Sequence, residues 1–81
     1  MPIRVLLFAG LREAAGAREV CVELDSAAGI AELRAALTRT CPNLAPLLAN
    51  TAIAVNEEYV DGDVRLQPGD VVALIPPVSG G

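Results

Sequence analysis

Val71-Val72-Ala73-Leu74-Ile75-Pro76-Pro77 is the stretch that decides the architecture. Five consecutive apolar residues read as a strand, and apolarity on both of its faces points to a central place in a sheet. Pro76 and Pro77 end it, because neither can donate to a ladder. Immediately upstream, Asp61-Gly62-Asp63 and Gln67-Pro68-Gly69-Asp70 are turn signals. They bracket a brief expected strand, Val64 to Leu66. Before these, Thr51 to Asn56 reads as another strand, with Glu57-Glu58 beginning the turn after it.

Farther out, Ile3 to Ala9 is a run of β-formers that reads as a first strand, apolar on both faces and broken by Gly10. Leu11 to Ala15 suits a short helical turn, and Gly16 reverses the chain. Glu19 to Leu24 alternates strictly, with Val20, Val22 and Leu24 inward, as expected of a half-buried strand antiparallel to the first. The main helix shows in Ile30, Leu33, Leu37 and Cys41, which make one apolar stripe with Glu32, Arg34, Thr38 and Arg39 outside it. Gly29 is its expected N-cap, Glu32 holds the capping-box position, and Pro42 stops it. Leu44 to Leu48 suits one more helical turn. The sum is ββαβ(β)β, one sheet wrapped over one helix, in an α+β class.

The 81 residues make one small domain with no second core. The chain is 53% hydrophobic but only 2% aromatic, so its core is built from Val, Leu, Ile and Ala. Six basic against ten acidic residues give a net charge of −4, the wrong sign for a phosphate-binding surface, and nucleic acid is not an expected partner. There is no His, which removes Ser-His-Asp and Cys-His catalysis and the commonest metal ligand. All six basic residues are Arg, so lysine Schiff-base chemistry is absent as well. No metal site is expected. The apolar run Val5 to Leu11 closes at Arg12-Glu13, far short of a membrane span and poor as a signal peptide. A cytoplasmic chain without membrane contact is the expectation. Cys21 and Cys41 lack metal or redox spacing. They read first as buried or half-buried small hydrophobes, with a disulfide or a reactive thiol as alternatives.

The sequence ends Pro76-Pro77-Val78-Ser79-Gly80-Gly81. Two prolines favour extended geometry, which projects a tail away from the body. Six residues at about 3.3 Å each reach roughly 20 Å, enough to enter a cleft in another protein. Two glycines keep the tip thin. A frayed terminus or a cloning remnant is the bland alternative.

Three stretches resemble the small, sulfur-carrying subunits of molybdopterin synthase, in the MoaD/ThiS-like, ubiquitin-related β-grasp family. They are Val5-Leu6-Leu7-Phe8-Ala9-Gly10-Leu11-Arg12-Glu13, Ala54-Val55-Asn56-Glu57-Glu58-Tyr59-Val60, and Leu66 to Ile75 running into Pro76-Pro77-Val78-Ser79-Gly80-Gly81. The last is the most specific. Gly29, where a Ser or Thr cap is more usual, and Ile75, where an aromatic is common, are the departures.

The resemblance implies a ubiquitin-like β-grasp domain over residues 1–75, with a mixed sheet, and an extended tail over 76–81. It implies that Gly81 is the reacting residue. An E1-like adenylating enzyme uses ATP to activate its carboxylate, and sulfur from a desulfurase or rhodanese replaces AMP to leave 1-thioglycine. No cofactor is bound. The loaded tail then enters the large synthase subunit, which supplies the acid–base groups. There the sulfur passes to cyclic pyranopterin monophosphate, two transfers making the dithiolene, and the assembly is a heterotetramer. Pro76, Pro77, Val78, Ser79 and Gly80 form the lever.

A single helix covers one sheet face only, so apolar residues must remain exposed and mark a contact patch. Phe8, Tyr59 and Ile75 are the candidates for it. The segment from Glu57 to Asp70 holds five acids and one arginine, while the rest of the chain balances. Such an edge either steers a basic partner or is a solvated face. Competing readings are a sulfur carrier for another pathway (thiamine, tungstopterin or tRNA thiolation), a ubiquitin-like protein modifier, and a passive β-grasp module.

Overall fold

The computed structural model describes residues 1–77. Its elements run β1 (Pro2–Leu7), α1 (Gly10–Ala15), β2 (Glu19–Glu23), α2 (Ile30–Thr40), a 3-10 turn (Pro42–Leu44), α3 (Ala45–Leu48), β3 (Ala52–Val55), β4 (Glu58–Tyr59) and β5 (Val71–Ile75). The five strands form one mixed sheet in the order β2-β1-β5-β3-β4. β5 is central, as its apolarity implies. It pairs parallel with β1, in the register Val5↔Val72 and Leu7↔Leu74, and antiparallel with β3 through Ile53↔Leu74.

One face of the sheet packs on α2. Ile3, Val5 and Leu7 of β1 and Val72 and Leu74 of β5 meet Ile30, Leu33, Ala36 and Leu37 of the helix in a single core. Leu33, Leu37, Val72 and Leu74 are wholly buried. Each such side chain contributes about 1.5–3 kcal/mol from water exclusion. Cys41 is the helix C-cap and only half-buried, whereas Ala36 takes the stripe position that completes the face.

Several local readings need correction. β1 ends at Leu7, because the chain turns at Ala9 (φ 50, ψ −126) and the Leu11 N–H donates to the Phe8 carbonyl at 3.1 Å. Glycine tolerates that backbone region best, yet Ala9 carries the bend and Gly10 begins α1. The turn sends Leu11 into the core, while Phe8, next in the outward row after Leu6, stays outside. Arg4 also interrupts the outward row of β1, which is therefore not apolar on both faces throughout. Val64 to Leu66 forms no strand: only Arg65 makes a bridge, to Gly29, while Leu66 plugs the core and Val64 stays exposed. Conversely, Glu58-Tyr59 is the strand β4, joined to β3 by the two-residue loop Asn56-Glu57. Both loop residues have positive φ (51 and 70), as a type I′ turn requires. Cys21 is exposed on β2, opposite Arg4, rather than buried, and both cysteines are free.

Helix α2 is capped from a distance. The Gly29 N–H donates to Glu32 Oε2 at 2.9 Å, one half of the expected capping box. The other half cannot come from glycine. Asp63 Oδ1 instead accepts from the Ile30 N–H at 2.8 Å and the Ala31 N–H at 3.4 Å. A Cβ on Gly29 would lie 2.2 Å from that oxygen, although its φ of −98 suits any residue. Glycine is thus required for space, not for conformation. The same loop is fastened by the Leu66 N–H on the Ala28 carbonyl at 2.8 Å.

Two outcomes follow from these contacts. Asp63→Ala should cost about 1 kcal/mol in denaturant unfolding, the usual worth of an N-cap. Gly29→Ser should destabilise the natural chain yet restore stability to Asp63→Ala, so additive effects in the double variant would refute the remote cap. On the outer face, Arg4 Nε and Nη2 donate to the two Glu19 carboxylate oxygens, each at 3.1 Å, and hold its pKa below the usual value through hydrogen bonding and then charge. A lowered carboxylate pKa adds stability above the unfolded value that is lost as pH falls through the folded one. Arg4→Ala should therefore raise the Glu19 titration midpoint, read by NMR, and flatten the acid limb of the stability curve.

Candidate functional site

Among the described residues no helix lies over the second face of the sheet, and strand parity decides what it shows. Leu6 of β1 and Val71, Ala73 and Ile75 of β5 alternate with the core residues of their strands and point outward, half-buried. A row crosses the sheet in register: Leu6↔Ala73, Ala73↔Ala54, Ala54↔Tyr59. The centre of this row is alanine, so it sinks into a groove whose walls are larger side chains.

Phe8, Tyr59 and Ile75 all line this one groove, together with Leu6, Ala73 and Glu57. Phe8 is 46% exposed and Tyr59 70%, so neither is a core residue. Phe8 lies outside because it continues the outward alternation of Arg4 and Leu6, and the bend at Ala9 ends the strand just after it; Tyr59 is presented by the tight Asn56-Glu57 turn. That turn is locked by Asp70, whose carboxylate accepts from Asn56 Nδ2 at 2.9 Å and the Gln67 N–H at 2.8 Å, while Asn56 Oδ1 accepts from the Val71 N–H at 3.0 Å. Asp70 is therefore a turn residue, and Glu57 is the acid that reaches the groove.

The groove and the start of the tail share one end of the sheet. β1 and β5 run parallel, so Phe8 and Ile75 both follow the Leu7↔Leu74 pair. Pro76 and Pro77 then wall a small recess with Leu11, Leu47, Asn50 and Thr51. Pro76 is half-buried, so the lever begins along the body rather than clear of it. Val78, Ser79, Gly80 and Gly81, the expected reacting residue, lie outside the described residues. Sequence reasoning did not single out Leu6, Val71, Ala73 and Ala54. Their outward parity, opposite to Val5, Val72 and Ile53, was the signal that could have found them. A second cleft, lined by Leu6, Phe8, Arg12, Arg18 and Glu19, adjoins the groove across the Phe8 ring. Among the described residues no helix is long and apolar enough to cross a membrane.

The ThiS family model matches residues 5–81. The molybdopterin synthase sulfur carrier subunit of Chlamydomonas reinhardtii is 41% identical, covering 100% of both chains. In structure, the chain is similar to SAMP1 (small archaeal modifier protein 1) from Haloferax volcanii, with a TM-score of 0.89 and 31% identity over 100% of each chain. It is also similar to a chain in the complex of subunits 1 and 2 of molybdopterin-converting factor from Helicobacter pylori, with a TM-score of 0.74 and 29% identity, again covering 100% of each. A mixed five-stranded sheet clasping one main helix, matched along nearly its whole length, makes this chain a ubiquitin-like β-grasp protein of the ThiS family.

Proposed function

We propose that this protein is the sulfur-carrier small subunit of a molybdopterin synthase, acting in the cytoplasm. Its working group is the carboxylate of Gly81. A carboxylate is a poor electrophile. Adenylation by an E1-like partner at the expense of ATP supplies a leaving group. The terminal sulfur of a desulfurase or rhodanese persulfide displaces AMP, and a second thiol then captures the donor's cysteine sulfur as a disulfide and releases the thiocarboxylate. The chain needs no bound cofactor of its own. The loaded tail enters the large subunit, and sulfur passes to cyclic pyranopterin monophosphate. General acids and bases belong to that subunit, in keeping with a sequence free of His and Lys.

The observation that carries this reading is the union of an apolar docking groove and the root of the tail at one end of the sheet. Docking there sets the tail's starting point and direction, which turns delivery of a terminal group into a positioned, effectively intramolecular event. Full-length similarity to a relative named as the sulfur carrier subunit supports it. A second reading, a protein modifier joined through Gly81, has support from the likeness to the small archaeal modifier protein.

Deleting Gly81 should abolish sulfur transfer to the pterin precursor by the purified large subunit while leaving thermal unfolding unchanged; turnover by the shortened chain would refute the site. Intact mass should show the gain expected for one oxygen replaced by sulfur, whereas Gly81–lysine isopeptides on cellular proteins would favour the modifier. Phe8→Ala and Tyr59→Ala should each weaken binding to the large subunit by about tenfold or more, as central aromatic contacts do. Their cost in folding stability should stay below the roughly 3–5 kcal/mol of a buried aromatic. A larger loss of folding than of binding would make these residues structural.

A further inference from the structure

We propose that the docking face is electrically polarised, and that the large subunit meets it with carboxylates opposite Arg12 and Arg18 and with a cation opposite Glu57. This rests on the sulfur-carrier reading and adds the chemistry of the partner surface. The groove and the cleft beside it share Leu6 and Phe8, so they form one continuous surface with the Phe8 ring between its two ends.

The cleft end is cationic. Arg12, in the last turn of α1, and Arg18, in the turn before β2, are both exposed there. Glu19 lines the same cleft, but both of its carboxylate oxygens are taken by Arg4. Neither Arg12 nor Arg18 has an ion-pair partner among the described residues. Guanidinium groups beside an aromatic ring are weakly hydrated and suited to bidentate capture of carboxylates.

The groove end is anionic. Asp70 is consumed by the turn, which leaves Glu57 as the carboxylate on the groove, also without an ion-pair partner among the described residues. Glu57 stands at φ 70, where glycine relieves strain, yet the chain holds a charged side chain there. Strain kept at an exposed contact position points to use of the side chain. Two opposite charges flanking an apolar groove fix which way round a partner docks, and hence where the tail is aimed.

The net charge of −4 points to a different partner, one uniformly basic, and the two cases separate cleanly. Association of the full chain with the purified large subunit is followed by stopped-flow at about 0.01 M and about 1 M ionic strength, where the screening length falls from about 30 to about 3 Å. Arg12→Glu/Arg18→Glu and Glu57→Lys should both slow association, by about tenfold at low salt, and merge with the natural chain at high salt. Glu57→Gln, which keeps the turn's shape, should fall between. Faster association of the double arginine variant would reveal a uniformly basic partner and overturn the proposal, as would rates that none of the variants alters. In either case normal binding by the natural chain, with sulfur transfer intact, leaves the sulfur-carrier reading standing. Failure of the natural chain to bind the large subunit at all would overturn both.

Discussion

The parallel pairing of β5 with β1 is the constraint on which the remaining structure depends. Parallel neighbours cannot be joined by a hairpin, so everything between them must cross over the sheet, and α2 rides in that connection. The crossover covers one face only. It also puts the last strand in the middle, where its neighbours on both sides hold it by backbone hydrogen bonds. The tail therefore starts from a strand held on both sides. A group to be presented to other proteins gains from that arrangement, because the root of the tail cannot fray without breaking the sheet.

The long loop between β4 and β5 shows how a segment with almost no regular structure is held in place. It has one bridge, Gly29 to Arg65, one buried anchor, Leu66, and one side chain, Asp63, that serves as cap to a helix 33 residues earlier in the chain. Each contact satisfies backbone groups that α2 and its approach would otherwise leave unpaired. Loop and helix start are thereby one unit: loosening the loop uncaps α2, and crowding Gly29 displaces Asp63. The hairpin before it is fixed in the same economical way. Asn56 joins the β3–β4 turn to the start of β5 through three hydrogen bonds, one to Asp70 and two to the Val71 backbone, so Tyr59 is held in register with the central strand.

Much of this was legible because side-chain periodicity reports directly on burial. The five apolar residues of β5 gave its central place, and Ile30, Leu33 and Leu37 gave the buried face of α2. Phe8, Tyr59 and Ile75 share a groove, as reasoning from an uncovered sheet face required. What was not legible depends on partners remote in sequence or on backbone angles unusual for the residue. Val64 to Leu66 alternates like a strand, but among the described residues only the single bridge to Gly29 lies beside it. β4 was hidden because its turn uses Asn-Glu, where glycine in the second position is the familiar signal. Asp63 looked like one acid of a turn, since nothing local reveals an acceptor for amides 33 residues away. The bend at Ala9 was assigned to Gly10, the residue for which it would have been easiest.

The composition of the open face shows how a small domain tolerates an uncovered apolar surface. With α2 the one helix of more than two turns among the described residues, and packed on the core face, exposure of the other face is built into the fold. Its centre is Ala73 and Ala54, which expose little apolar area and, being short, make the surface concave. The large side chains stand at the periphery: Leu6 and Phe8 on one side, Tyr59 on the other. Concavity limits nonspecific adhesion to flat surfaces while admitting a convex partner, because only a matching shape removes enough water to offset the entropy lost on docking. Filling the groove from within, by enlarging Ala73, would leave Val72 and Leu74 in the core untouched and remove the concavity. The same strand thus builds the core with one face and shapes the groove with the other, and the alternation of side chains along Val71–Ile75 is what keeps the two tasks separate.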